Sequence, residues 1–355
     1  MVSFIRTIST RRLLVLVAGV LAVAVGGTAI ALAATGAGPV PPRKPLAAAV
    51  HDALAAPAVD GVTARIKFTN HLIDSADVGE GAGPAITGAS GRLWASSDHR
   101  LRLELQSDRG DVQAVVEGRR WWVYDASSNT LYRGTLQRHR QKREKRETKG
   151  VPSLARIRRQ LAQVMEHANL SGAVPGDIAG RPAYRVTIGP KRNGGLLGSL
   201  QLAWDAEHGV PLRAAVYPRG SSSPVLELSA TDVSFGKVPA SAFAVTPPAH
   251  AKRVDLAPVR GHERGRRASF SVTAPRKLAG LSRHEVRQTG SGALVTYGQG
   301  FGGIAVIERK AEGSADNRKF VTALGTAINF RRGGVDYTVL GSLPAAKVEA
   351  AARGL

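Results

Sequence analysis

Cysteine is absent from the 355 residues. With it go disulfides, thiolate metal ligands, a cysteine nucleophile and a lipid-modified N-terminal cysteine. Aromatic residues reach only 5%, sparse for a protein that stacks on bases. Acidic residues are few: 27 Asp and Glu stand against 49 Lys and Arg, a net charge of +22. Gly (40) and Pro (19) are too few and too scattered for collagen or for a wholly disordered chain. Catalytic spacings are also missing. The nine His are dispersed, with no H-x-H or H-E-x-x-H, and neither G-x-S-x-G nor a Walker loop occurs. His139 and His167 read as solvated. No catalytic residue, metal or cofactor is assigned, and the chain is read as a binding protein rather than an enzyme.

One long apolar run is present, at the N-terminus. Arg6, Arg11 and Arg12 precede the uncharged stretch Leu13–Ala34, 22 residues long and enough to span a bilayer. Ala31-Leu32-Ala33 also fits a signal-peptidase site. Residues 1–38 are therefore expected to be a transmembrane anchor or a signal peptide cleaved after Ala33. In either case the bulk lies outside the cytoplasm, at the cell membrane or secreted. That location removes nucleic acid as the expected partner of the positive charge. The basic run Arg138, Arg140, Lys142, Arg143, Lys145 and Arg146 then has two readings. It is a solvated loop, or it touches anionic lipid headgroups, where each cation is worth roughly 1 kcal/mol.

Beyond the Pro-rich stretch at 38–42, the spacing of Leu46, Ala49, Val50, Ala53 and Leu54 predicts a helix from Pro45 to Ala56. Period-two runs follow. Residues 65–69, 91–95, 101–105, 112–116, 121–124 and 130–133 are predicted strands, separated by turns at about ten-residue spacing, which implies an antiparallel meander. Asp74–Ser90 reads as a long loop. Ser153 is a predicted N-cap, and Leu154, Ile157, Leu161, Val164 and Met165 make one apolar stripe of a helix ending near His167. Strands resume at 183–188, 199–205, 211–217 and 225–235, and Leu200, Leu202 and Trp204 alternate cleanly. The basic stretch 251–268 reads as linker. A second unit from Ser269 carries further strands, a hairpin turning at Arg332-Gly333-Gly334, and a terminal helix at 344–353. Gly298-Gln299-Gly300-Phe301-Gly302-Gly303 has the look of a nucleotide-binding loop, but it falls between two predicted strands with no helix after it. It reads as a hairpin connection.

The order of these features resembles the LolA family of lipoprotein carriers. Gly91-Arg92-Leu93-Trp94, Arg100–Glu104 and Val115–Asp125 correspond to its first half. Gly198–Leu202, Trp204-Asp205, Gly209-Val210-Pro211 and Ala242–Pro248 correspond to its second. The likeness covers about residues 45–257, and exported actinobacterial two-domain members look closest. The two-part arrangement also resembles the periplasmic stress regulator RseB. The chain departs from LolA in its N-terminal segment, in its basic insertion, and at Ser97-Asp98, where the family has an arginine before a proline.

The resemblance implies an α+β protein. A half-open antiparallel β-barrel (45–257) covered by helices would be joined by a basic linker (258–268) to a small α+β C-terminal domain (269–355). It implies an apolar cavity for a lipid or an acylated protein, lined by Leu101, Leu103, Trp122, Tyr124, Leu200, Leu202 and Trp204. Leu154, Ile157 and Leu161 would form its lid. The RseB-like alternative implies a membrane regulatory protein of the anti-sigma type as partner.

Overall fold

Short turns join the strands that follow one another from Ala89 to Thr135. The computed structural model describes residues 40–72, 88–108, 110–136, 151–191, 195–256, 270–289, 292–315 and 317–355. The run Leu13–Ala34, the basic run Arg138–Arg146 and the linker 258–268 lie outside them. Strand β1 (Gly61–Asn70) is followed by β2 (Ala89–Ser96), β3 (Arg100–Ser107), β4 (Gly110–Glu117), β5 (Arg120–Asp125) and β6 (Thr130–Thr135). Ser107 pairs with Gly110 and Glu117 with Arg120. These are two-residue hairpins, and the second holds Gly118 at φ 58°.

Helix α1 (Leu46–Ala55) precedes this meander, and α2 (Leu154–His167) follows it. The Ser153 hydroxyl accepts from the Arg156 N–H at 3.4 Å, as an N-cap does. Then come β7 (Ala168–Leu170), β8 (Val174–Ile178), β9 (Arg181–Pro190), β10 (Leu197–Asp205), β11 (Pro211–Pro218) and β12 (Leu226–Phe235). β1 pairs with β12, which joins the two meanders into one curled, half-open sheet. A bulge at Arg65/Ile66 accommodates the bend at that seam. Two short strands at the β9 edge, β7 and β8, carry no alternating pattern and are additions to the sequence reading.

The stretch after β12 is not all linker. Its segment crosses the outer face of β3, where Arg102 Nη1 donates to the Ala242 carbonyl at 2.7 Å and Arg100 lies 4.8 Å from the Phe243 ring centre. It then adds β13 (Lys252–Leu256) parallel to β6, pinned by Arg133 on Asp255. The Arg133 guanidinium holds the Asp255 carboxyl below its ordinary range.

The second unit is a separate sheet with its own core. It comprises β14 (Lys277–Leu278), β15 (Leu281–Thr289), β16 (Gly292–Tyr297), β17 (Ile304–Lys310), β18 (Arg318–Thr322), β19 (Gly325–Arg332) and β20 (Val335–Gly341), with α3 (Ala345–Arg353) packed on β19 and β20. The order is β14-β15-β16-β17-β20-β19-β18. Val295, Val306, Val339, Val348 and Ala351 are fully buried in its centre. The glycine-rich stretch at 298–303 connects β16 to β17 as a single short turn, with Gly298 and Gly300 both at positive φ. One backbone contact between the units is Leu196 N–H on the Ser342 carbonyl, 2.8 Å. The architecture is thus α+β: a helix-covered half-open sheet, then a small α+β unit. No helix among the described residues is long and apolar enough to cross a membrane.

Candidate functional site

Cross-strand register decides which side chains share a face of the large sheet. From β3 outward, Leu101, Leu103 and Leu105 sit opposite Val116, Ala114 and Val112, and those opposite Trp121, Val123 and Asp125. In the other direction Leu103 faces Leu93, Leu93 faces Ala64, and Ala64 faces Val233. Across the seam Leu228 faces Ala214, Ala214 faces Leu202, and Leu202 faces Val186. Leu200 and Trp204 lie on the same side as Leu202. One continuous apolar face therefore carries Leu101, Leu103, Leu200, Leu202 and Trp204.

Trp122 and Tyr124 are not on it, which corrects their expected place beside Leu103. They pair with Val115 and Gln113 and face outward, and the Tyr124 hydroxyl donates to Asn129 Oδ1 at 3.1 Å. Trp121 is the inward aromatic. Gly134 makes its space: a Cβ there would stand 2.7 Å from the indole. The register decides it: with Glu117 paired to Arg120, Val116 stands against Trp121.

The two ends of the apolar face differ in cover. Leu101, Leu103 and Leu105 are buried in a core with Val62, Ile66, Leu93 and Val233, and the β8–β9 turn adds Ala179. At the start of β9, Arg181 Nε reaches Asp205 Oδ2 at 3.0 Å and its Nη2 reaches Glu207 at 2.8 Å, while the His208 ring lies tilted with its centre 3.9 Å from that of Phe235. Asp205, Glu207 and His208 offer ligand atoms within 4.8 Å of one another, but Arg181 already supplies the positive charge there.

Helix α1 covers the β9–β10 part. Ala49 packs with Tyr184 and Trp204, whose rings stand 6.2 Å apart, and the Tyr184 hydroxyl donates to the Pro42 carbonyl at 2.6 Å. Lys44 clamps the helix through Asp52 at 2.6 Å and keeps that carboxyl below its ordinary range. Helix α2 packs on α1 and β7 and buries Ile157; Leu154 and Leu161 are half-buried.

What remains uncovered is apolar. Leu202 is 40% exposed although its neighbours across the ladder are Val186 and Ala214, and on the last turn of α2 Val164 and Met165 are 46% and 49% exposed. Lys191 holds that turn to the end of β9 by donating to the Met165 carbonyl at 3.0 Å. Because α2 runs directly into β7, and Leu170 faces Ile188 and Ile188 faces Leu200, both exposed groups flank the same strands. All three are large apolar side chains left exposed. A groove beside β9–β12 is different in kind: open and of about 670 Å³, it is lined by Arg185, Gln201, Arg213, Tyr217 and several serines, and reaches Ala179 and Ala230 of the core. Arg213 is already engaged by Glu227, Gln201 and Tyr217.

No family model and no curated protein sequence matches the chain. Among solved structures it is similar to MucB in the MucA/MucB complex of Pseudomonas aeruginosa, at 15% identity over 86% of this chain and 95% of that one, with a TM-score of 0.45. A LolA superfamily protein from Nitrosomonas europaea is similar at 12% identity over 57% of this chain and 99% of the other, with a TM-score of 0.25. Likeness at this level assigns no ligand, partner or activity.

Proposed function

We propose that this is an extracytoplasmic protein, tethered by its N-terminal segment or released from it, that holds acyl chains of a lipid or acylated protein in an apolar trough formed around Leu202. One observation carries the reading: Leu202 stands open to water inside an otherwise apolar ladder. An exposed leucine alone is ordinary. One flanked by Leu200, Val186 and Ala214, in a sheet whose covering helix also exposes Val164 and Met165, is a surface that an acyl chain would dry, gaining ~0.8 kcal/mol per methylene. Leu200, Leu202 and Leu161 make contact in this reading, while Leu101, Leu103 and Trp204 are the packed floor. No step of it needs a catalytic group. The basic run Arg138–Arg146 would meet anionic headgroups of the same membrane.

The test is native mass spectrometry of the exported protein, purified without detergent. A discrete excess mass that extracts as phospholipid or acylated species, and is lost in Leu202→Arg with the fold intact, supports the reading. A clean unliganded mass that does not change on incubation with host lipids sinks it.

A second reading is favoured by the separately cored C-terminal unit. In it the protein is an RseB-like regulator that senses a ligand in the trough and binds a membrane protein through residues 269–355. Recovery of one stoichiometric membrane partner, lost when that unit is deleted, would support it.

A further inference from the structure

Strand β18 ends its sheet: it pairs with β19 on one side and with no strand on the other among the described residues. Such an edge offers a row of main-chain donors and acceptors to an added strand. It is short and begins with the charged Arg318 and Lys319, as blunted edges do, but two features favour an added strand. It is apolar at its middle, with Phe320 and Val321 38% and 51% exposed on opposite faces. It also borders a groove of about 590 Å³ between β18–β19 and α3, floored by Ile328, Phe330 and Ala352.

The charge of that groove is one-sided. Lys319, Arg332 and Arg353 line it against a single acid, Glu349, which lies 3.0 Å from Lys319 and 3.9 Å from Arg353, while Arg332 donates one N–H to the Arg353 carbonyl at 3.3 Å and meets no carboxylate there among the described residues. Arg331 is spoken for by Asp336 and by the carbonyls of Glu312 and Gly313. Lys319 and Val321 point to the same face as Ile328 and Thr326. Alternate side chains of an added strand would point there too.

We infer that β18 is a docking edge for an extended acidic segment of a partner protein. The segment adds as a strand, its carboxylates meeting Arg332 and Arg353 and its apolar residues covering Val321. This goes beyond the acyl-chain reading and does not depend on it.

The experiment is hydrogen exchange on the full chain with a synthetic octapeptide of alternating Val and Glu, set against alternating Val and Lys. The expected result is slowed exchange at residues 318–322 with the acidic peptide only. Affinity should fall at least tenfold in Arg332→Glu/Arg353→Glu. Neighbouring amides of a strand point to opposite edges, so Phe320→Pro and Val321→Pro are made as a pair; the one that removes an outward N–H stays folded and should also lose tenfold, with no charge changed.

Binding of the acidic peptide that ignores the folded proline variant would show only attraction to a chain of charge +22, and would overturn the inference. Absence of protection at β18 would do the same. So would protection without peptide that grows with protein concentration, which makes a second copy the occupant. None of these outcomes touches the lipid readout at Leu202, so the two readings fail separately.

Discussion

Arg181 and Asp205 form a 3.0 Å ion pair between the start of β9 and the end of β10, and Asp205 is completely buried. Its other oxygen accepts the backbone N–H groups of Glu207 and His208 at 2.9 and 2.7 Å. One carboxylate thus shapes the β10–β11 turn and anchors the arginine that lies 5.4 Å from the Phe235 ring centre. Replacing Asp205 with Ala takes away the buried partner of Arg181, leaving it only the exposed Glu207, and unpairs two N–H groups. The expected loss is about 3 kcal/mol, read by urea unfolding. A loss below about 1 kcal/mol would show that the turn holds without it.

Leu103 and Leu202 share a face but not a role. Leu103 is 5% exposed in a full core, so Leu103→Ala should cost about 2–5 kcal/mol, and Leu103→Arg should prevent folding altogether. Leu202→Ala should cost less than about 1 kcal/mol. Equal losses would place Leu202 in the core and remove the trough.

Gly209 has φ 74°, and a Cβ there would stand 2.0 Å from the Ala53 carbonyl oxygen of α1. Gly209→Ala must therefore push α1 off the β10–β11 turn as well as strain the backbone. We expect a loss of at least about 2 kcal/mol. Proteolysis should begin at α1, and a wild-type digestion pattern would contradict this docking.

Burial pushes the Tyr297 phenol from 10.0 up to about 12, and its hydroxyl donates to the Pro275 carbonyl at 2.7 Å. The folded state holds this proton more tightly than the unfolded chain does. Its contribution is complete below pH 10 and is lost as pH rises from 10 to 12, a loss on the order of 2 kcal/mol. Tyr297→Phe should show a shallower alkaline decline of the C-terminal unit. Identical declines would mean that other groups govern it.

Alternation and turn spacing made much of the fold legible. Leu101, Leu103 and Leu105 declared a one-sided strand, and Ser153 with its apolar stripe declared α2, because both patterns are local. The α+β division followed from the change of pattern along the chain. Period two has no sign, however. It could not say whether Trp121 or Trp122 turned inward; the pairing of Glu117 with Arg120 decided that. Strands β7, β8 and β18 were invisible because they are short, or exposed, and owe their form to a neighbour's free edge. The same holds for the site. The sequence by itself marked Leu103, Leu202 and Trp204 as apolar positions of one kind. Only the tertiary structure decided that Leu103 is core, Trp204 the floor under α1, and Leu202 open to water, because exposure depends on which segments far along the chain come back to cover a face.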